Sequence, residues 1–195
     1  GVDKTVKRAI TINEIKKIKQ IDLPINSSKD FARDMFLFSF YTRGMSFIDM
    51  AYLKKSDLSN GILSYRRRKT GHTLYIKWEK CMEEIVNKYY QPYSIYLLPI
   101  IINADKESRL QYKNSLRLVN THLKSIGSLL NLNNNITMYT ARHSWASIAR
   151  NNNIPISVIS AGMGHNSETI TQIYLTSIDT NKINKANAMI LKKLY

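Results

Sequence analysis

Tyr139-Thr140-Ala141-Arg142-His143 is followed by Gly162-Met163-Gly164-His165, and nine residues after that histidine stands Tyr174. The apolar periodicity through residues 138–151 is helical, and Ile154-Pro155 restarts the chain. Residues 157–161 read as one short helix, broken by Gly162 and Gly164, and residues 167–174 as another. Asp179 has the chemistry to cap a last helix reaching Leu194, with Ile183, Ala186, Met189 and Ile190 apolar. A third of the chain is therefore short helices in succession, with chemically active side chains where they begin and end.

Working back from there, residues 106–130 are helical in pattern and end before the Asn-rich cluster at 131–135. Residues 79–90 are helical too, with Pro92 and Pro99 bracketing a loop. The stretch 56–77 differs. Asp57-Leu58-Ser59-Asn60-Gly61 is turn chemistry, residues 62–67 alternate loosely, and Thr73-Leu74-Tyr75-Ile76 is strand-like. Arg68-Lys69-Thr70-Gly71-His72 lies between as a hairpin tip. Toward the start, residues 46–53 read as a helix with Phe47, Met50 and Ala51 on one side, and residues 29–41 as a buried helix. Thr11-Ile12-Asn13-Glu14 has capping-box spacing for a first helix over 11–20. The expected class is mainly α with a small antiparallel β-sheet, an α+β fold.

Composition narrows the function classes. At 195 residues and 44% hydrophobic content, one domain with a real core is expected and disorder is not. No uninterrupted apolar run approaches the ~18 residues of a membrane span. Cys81 is the single cysteine, which excludes an internal disulfide and CxxC-type zinc sites and is compatible with a cytoplasmic home. Lys and Arg number 29 against 14 Asp and Glu, a net charge of +15. Such an excess attracts polyanions, whether DNA, RNA or an acidic membrane, although a basic solvated surface alone would give the same count. No Lys-rich amphipathic helix with exposed Trp or Phe supports the membrane reading. The chain opens Gly1-Val2-Asp3 without an initiator Met, which reads as a fragment of a longer protein.

Breaking a phosphodiester without a metal needs a nucleophile in line with phosphorus, cations on the non-bridging oxygens, and an acid for the leaving alkoxide. Arginine suits the oxygens because its fork matches them and stays charged. Lysine or histidine suits proton transfer. No carboxylate cluster suited to Mg²⁺ stands out: the acids are scattered, mostly beside Lys on expected exposed faces. There is no P-loop and no GxSxG elbow, and His72, His122, His143 and His165 lack metal-ligand spacing.

Four segments in order resemble the catalytic domain of the tyrosine recombinase, or phage integrase, family. They are Tyr41-Thr42-Arg43-Gly44-Met45-Ser46-Phe47-Ile48-Asp49, then Tyr65-Arg66-Arg67-Arg68-Lys69-Thr70, then Tyr139-Thr140-Ala141-Arg142-His143, and last Gly162-Met163-Gly164-His165 with residues 169–174. The resemblance implies that fold over the whole of 1–195, as a single catalytic domain from which a preceding helical DNA-binding domain is absent. It implies that Arg43 and Arg142 clamp the scissile phosphate and that Tyr174 attacks it, leaving a 3′-phosphotyrosyl link and a free 5′ hydroxyl. Lys69 would protonate the leaving 5′ oxygen, or else serve as one more phosphate contact. His165 would hydrogen-bond the phosphate and assist proton transfer. Asp49 would buttress the site or be a solvated helix residue. Arg66, Arg67 and Arg68 are expected to meet DNA phosphates, and His143 to be structural, since adjacent helix residues face different ways.

The family's third box usually opens with histidine, where this chain has Tyr139. A phenol, with its ordinary pKa near 10, donates a hydrogen bond but is a poor base at neutral pH. Either His165 or water then takes the nucleophile's proton, with Tyr139 supporting the phosphate or being structural. A catalytically weakened domain is a further reading, against which the other five positions stand intact. The resemblance further implies double-stranded DNA at recombination sites as substrate, a homotetramer on DNA, possible accessory DNA-bending proteins, and no cofactor. Integration and excision of a phage or conjugative element is the leading role. Inversion or resolution uses the same chemistry, and a non-catalytic DNA-binding domain is the contrasting class.

Overall fold

The computed structural model of the protein describes residues 9–165, so Tyr174 and the expected helix beyond Asp179 lie outside the described residues. The first helix, α1 (Ile12–Gln20), begins at the capping box read from the sequence. The Glu14 N–H donates to Thr11 Oγ1 at 3.2 Å and the Thr11 N–H to Glu14 Oε2 at 2.6 Å. Each bond satisfies a donor that the helix start would leave open.

Helix α2 (Ser28–Tyr41) is the hub, packed against α1, α4 (Lys80–Lys88), α5 (Ser108–Leu129) and α6 (Met138–Asn151). Ala32, Met35, Phe36, Leu37 and Phe38 are all buried, as a helix enclosed by several neighbours requires. Its acids are exceptions to the mostly exposed placement expected of the carboxylates. Asp30 and Asp34, one turn apart, are buried against α4 and each accept a hydrogen bond from Lys88 Nζ at 2.6 Å. Arg33 pairs with both, and the Tyr89 hydroxyl donates to Asp34 at 2.9 Å. Burial alone would raise the Asp30 pKa, but the bonds from Lys88 and the Asn26 N–H and the charge of Arg33 hold it below the ordinary value.

After α3 (Phe47–Ala51) the chain forms a three-stranded antiparallel sheet in the order β1 (Leu58–Ser59), β2 (Ile62–Arg66), β3 (Thr73–Lys77). Strand β1 falls within the segment expected to be a turn; it pairs through Leu58↔Leu63 and Ser59↔Ile62 before Asn60-Gly61 reverses the chain. Leu63 and Tyr65 face inward from β2, opposite Ile76 and Leu74 of β3. Helix α7 (Ile156–Met163) runs through Gly162 rather than breaking there, and ends at Gly164, whose φ is +65°. Ala146, Ile159 and Met163 form a small apolar cluster between α6 and α7, beside the main core. No helix among the described residues is long and apolar enough to cross a membrane.

Candidate active site

Helix α2 ends in a Schellman motif. The Gly44 N–H donates to the Ser39 carbonyl at 2.8 Å, and the Arg43 N–H to the Phe40 carbonyl at 3.2 Å. The residue that must turn left-handed in this motif is Arg43, with φ +62°, a position glycine usually fills. Gly44 follows at φ +73°. The turn throws the Arg43 side chain back across α7: a Cβ added to Gly162 would lie 3.7 Å from Arg43 Cδ and 3.3 Å from the Trp145 ring.

Helix α7 ends the same way, with the His165 N–H on the Ser160 carbonyl and the Gly164 N–H on that of Ala161, both at 3.0 Å. His165 thereby leaves the helix immediately after its left-handed turn.

Arg142, in the second turn of α6 and only 4% exposed, joins these two helix ends. Nη1 donates to the Gly44 carbonyl at 2.7 Å and Nη2 to the Met163 carbonyl at 2.9 Å. Both carbonyls sit where helix dipoles end negative, which favours a cation. Nη2 also lies 2.7 Å from His165 Nε2. Arginine has no acceptor, so Nε2 accepts and the neutral ring carries its proton on Nδ1. Burial, then the charges of Arg142, Arg67 and Lys69, push the His165 pKa down to about 4. At pH 7 this imidazole is neutral.

A pH dependence of stability follows. An unfolded histidine titrates near 6.5 and native His165 near 4. Between these values the unfolded chain binds more protons, so this contribution is present above 6.5 and is lost as the pH falls through 4, about 3 kcal/mol in all. Denaturant unfolding of wild type and His165→Gln at pH 7 and pH 4.5 checks this. The stability lost on acidification is expected to be smaller in the variant.

The hairpin is docked at both sides of its tip. Asp49, buried at the start of α3, accepts from Ser46 Oγ at 2.6 Å and from the Arg68 backbone N–H at 2.9 Å. On the other side Arg67 Nη1 and Thr70 Oγ1 donate to one acceptor, the Gly164 carbonyl, at 2.6 and 3.1 Å. Lys69 stands exposed between these anchors. Arg66 and Arg68 are exposed as well, Arg66 donating to the Gly71 carbonyl and Arg68 stacked 3.9 Å over the Tyr52 ring. Arg67 is not with them: it is 5% exposed and turned into the cluster. Strand parity was the available signal, since residues 63, 65 and 67 share a face. Tyr65 lies beneath the same cations, its phenol held protonated by burial.

Tyr139 is 44% exposed in the first turn of α6, its ring edge-on to His143 at 4.5 Å. One helical turn separates the two, which gives His143 a packing partner on a different face from Arg142. The structure thus gathers Arg43, Arg67, Arg142 and His165 between α2, the hairpin, α6 and α7, with Lys69 at the rim.

The Phage integrase family model matches residues 4–181. Among solved structures, the Tn1549 transposon integrase in complex with a circular intermediate DNA superposes with a TM-score of 0.70 at 16% identity, over 97% of this chain and 67% of that one. The XerH site-specific recombinase bound to difH substrate, a pre-cleavage complex, gives 0.65 at 17% identity, over 95% and 55%. A lambda integrase tetramer bound to a Holliday junction gives 0.59 at 18% identity, over 86% and 48%. The chain spans about half to two-thirds of the length of these structures. No curated protein matches the sequence at a significant level.

Proposed function

As this chain belongs to the phage integrase family, we propose that it is the catalytic domain of a site-specific DNA recombinase that cuts and rejoins DNA through a 3′-phosphotyrosyl intermediate. The observation that carries this reading is the convergence on Arg142. The Gly44 turn meets its guanidinium at one end, and Met163 and His165 meet it at the other. Residues about 20 and 100 positions apart are thus joined at one cation suited to a phosphate oxygen.

In this reading Arg43 and Arg142 neutralise the non-bridging oxygens as charge develops. The Tyr174 oxygen bonds to phosphorus, the bond to the 5′ oxygen breaks, and Lys69 gives that oxygen a proton. His165 is the proposed acceptor for the tyrosine's proton: burial and the surrounding cations by themselves keep it neutral, and a bound phosphate anion offsets those cations and raises its basicity. Tyr139, half-exposed and packed on His143, supports the phosphate or the helix rather than acting as a base. Arg66 and Arg68 meet backbone phosphates on the outer face of the hairpin. Helix α5 supports a DNA partner too: its 22 residues include Arg109, Lys113, Arg117 and Lys124 and not one carboxylate. Because the phosphotyrosyl bond conserves the energy of the one broken, a 5′ hydroxyl from a second duplex can attack it without ATP. Four protomers on two duplexes would allow exchange in pairs, and integration and excision of a mobile element is the leading role.

The test is direct. A duplex of the protein's attachment site, nicked beside the cleavage point so that the short product diffuses away, is expected to trap a covalent adduct. Mass spectrometry of the digested adduct is expected to put the nucleotide on Tyr174. No adduct, or one on another residue, overturns the reading.

A further inference from the structure

Arg142 grips the Met163 carbonyl and Arg67 the next one along, that of Gly164. Between them these two bonds fix the peptide units that lead into His165. Arg67 also belongs to the hairpin, two residues before Lys69, and its backbone closes the tip through the Arg67 N–H on the His72 carbonyl and the Gly71 N–H on the Arg67 carbonyl, both at 2.8 Å. Its side chain and its main chain therefore hold two different structures. Thr70, on the far side of Lys69, donates to the same Gly164 oxygen. The left-handed Gly164 leaves room for this: a Cβ there would come 3.0 Å from Leu74 and 3.2 Å from Arg67 Cδ.

We propose that Arg67 is a positioning residue that couples the Lys69 hairpin to the His165 segment through the Gly164 carbonyl, so that acid and base are set in the site together. This rests on the roles given to Lys69 and His165 above. Its guanidinium is buried and donates to a main-chain oxygen, unlike those of the exposed Arg66 and Arg68. Lysine would not replace it: a single ammonium lacks the reach and planar fork that bring Nη1 to Gly164. Among the described residues, the charged groups that act on His165 are Arg142 from α6 and Arg67 and Lys69 from the hairpin, so loss of Arg67 also removes one of the cations that oppose its protonation.

Arg67→Gln in the intact protein is the test, read on two nicked duplexes that differ in one atom. With oxygen bridging to the 5′ carbon, adduct formation is expected to slow about 10²-fold, as for loss of a general acid. With sulfur there, the leaving thiolate needs no proton, and most of the deficit is expected to vanish. NMR titration is expected to show the His165 pKa moved up from about 4 toward that of an ordinary imidazole. A wild-type rate, or an equal deficit on both duplexes, overturns the coupling. Arg67→Lys is read the same way should the Gln variant fail to fold. If wild-type protein forms no adduct, the recombinase reading has failed, and the coupling is judged by the titration alone: an unmoved His165 overturns it.

Discussion

Arg142→Lys is expected to fold yet form the covalent adduct about 10³-fold more slowly than wild type, an effect in the range of a lost transition-state arginine. The native guanidinium meets the Gly44 carbonyl, the Met163 carbonyl and His165 Nε2 at once. A lysine ammonium keeps the charge but cannot span acceptors on two helix ends and still face a phosphate. Some stability goes as well, since a buried carbonyl left without a donor costs about 1–3 kcal/mol. The kinetic loss is separable from this. Affinity for duplex DNA, measured by anisotropy across a salt series, should change only a few-fold, because one phosphate contact among many sets it. A variant that bound DNA hardly at all, or reacted at the wild-type rate, would contradict the clamp.

The segments that bring Arg142 into the site differ in how readable they were. The capping box at Thr11 and Glu14 is local chemistry, and it starts α1 where the sequence says it should. The hairpin and the helical class were readable for the same reason, since periodicity and turn residues act over a few positions. Strand β1 was not, because two residues beside Asn60-Gly61 carry no period of their own and become a strand only by pairing with β2. The pairing of Asp30 and Asp34 inside a helix read as buried was not legible, because their partner Lys88 lies more than 50 positions away. Gly162 was read as a helix breaker, but the space a side chain would need is taken by Trp145 and Arg43, a packing reason for glycine inside α7. At the site, residue identity pointed to Arg43, Arg142 and His165 as candidates. Their placement depends on two helix-end motifs whose hydrogen bonds only the fold reveals, and Arg67, grouped in the sequence with Arg66 and Arg68, is buried where they are exposed, as strand parity requires.

Gly44→Ala is the second large effect. It is expected to cost about 3 kcal/mol or more, from two sources. A left-handed φ of +73° opposes any Cβ, and that Cβ would meet Arg142 Cα at 2.7 Å, a main-chain atom that cannot swing aside. For a chain of this size the thermal midpoint should fall by roughly 6–12 °C. Adduct formation should fall too, because the Gly44 carbonyl moves with its turn and takes Arg142 with it. Gly61→Ala is the internal control. Its φ is +71°, but nothing lies within 4 Å of the added carbon, so it reports the backbone cost alone, about 1 kcal/mol. Equal destabilisation of the two variants, by differential scanning calorimetry, would mean that Gly44 is not pressed against α6.

Asp49 holds the hairpin by the backbone N–H of residue 68, not by its side chain. Nineteen of the twenty amino acids supply that N–H; proline alone lacks it. The arginine now at 68 adds a stack on Tyr52, worth about 0.5–1 kcal/mol at an exposed site. The tip is therefore anchored by a feature that mutation at 68 cannot easily remove, while the side chain beside Lys69 is left open to variation. A lineage could change what its hairpin presents without loosening Lys69, the proposed general acid, next to it. In the proposed reading, the same separation makes position 68 a place to vary how tightly the hairpin holds a DNA backbone.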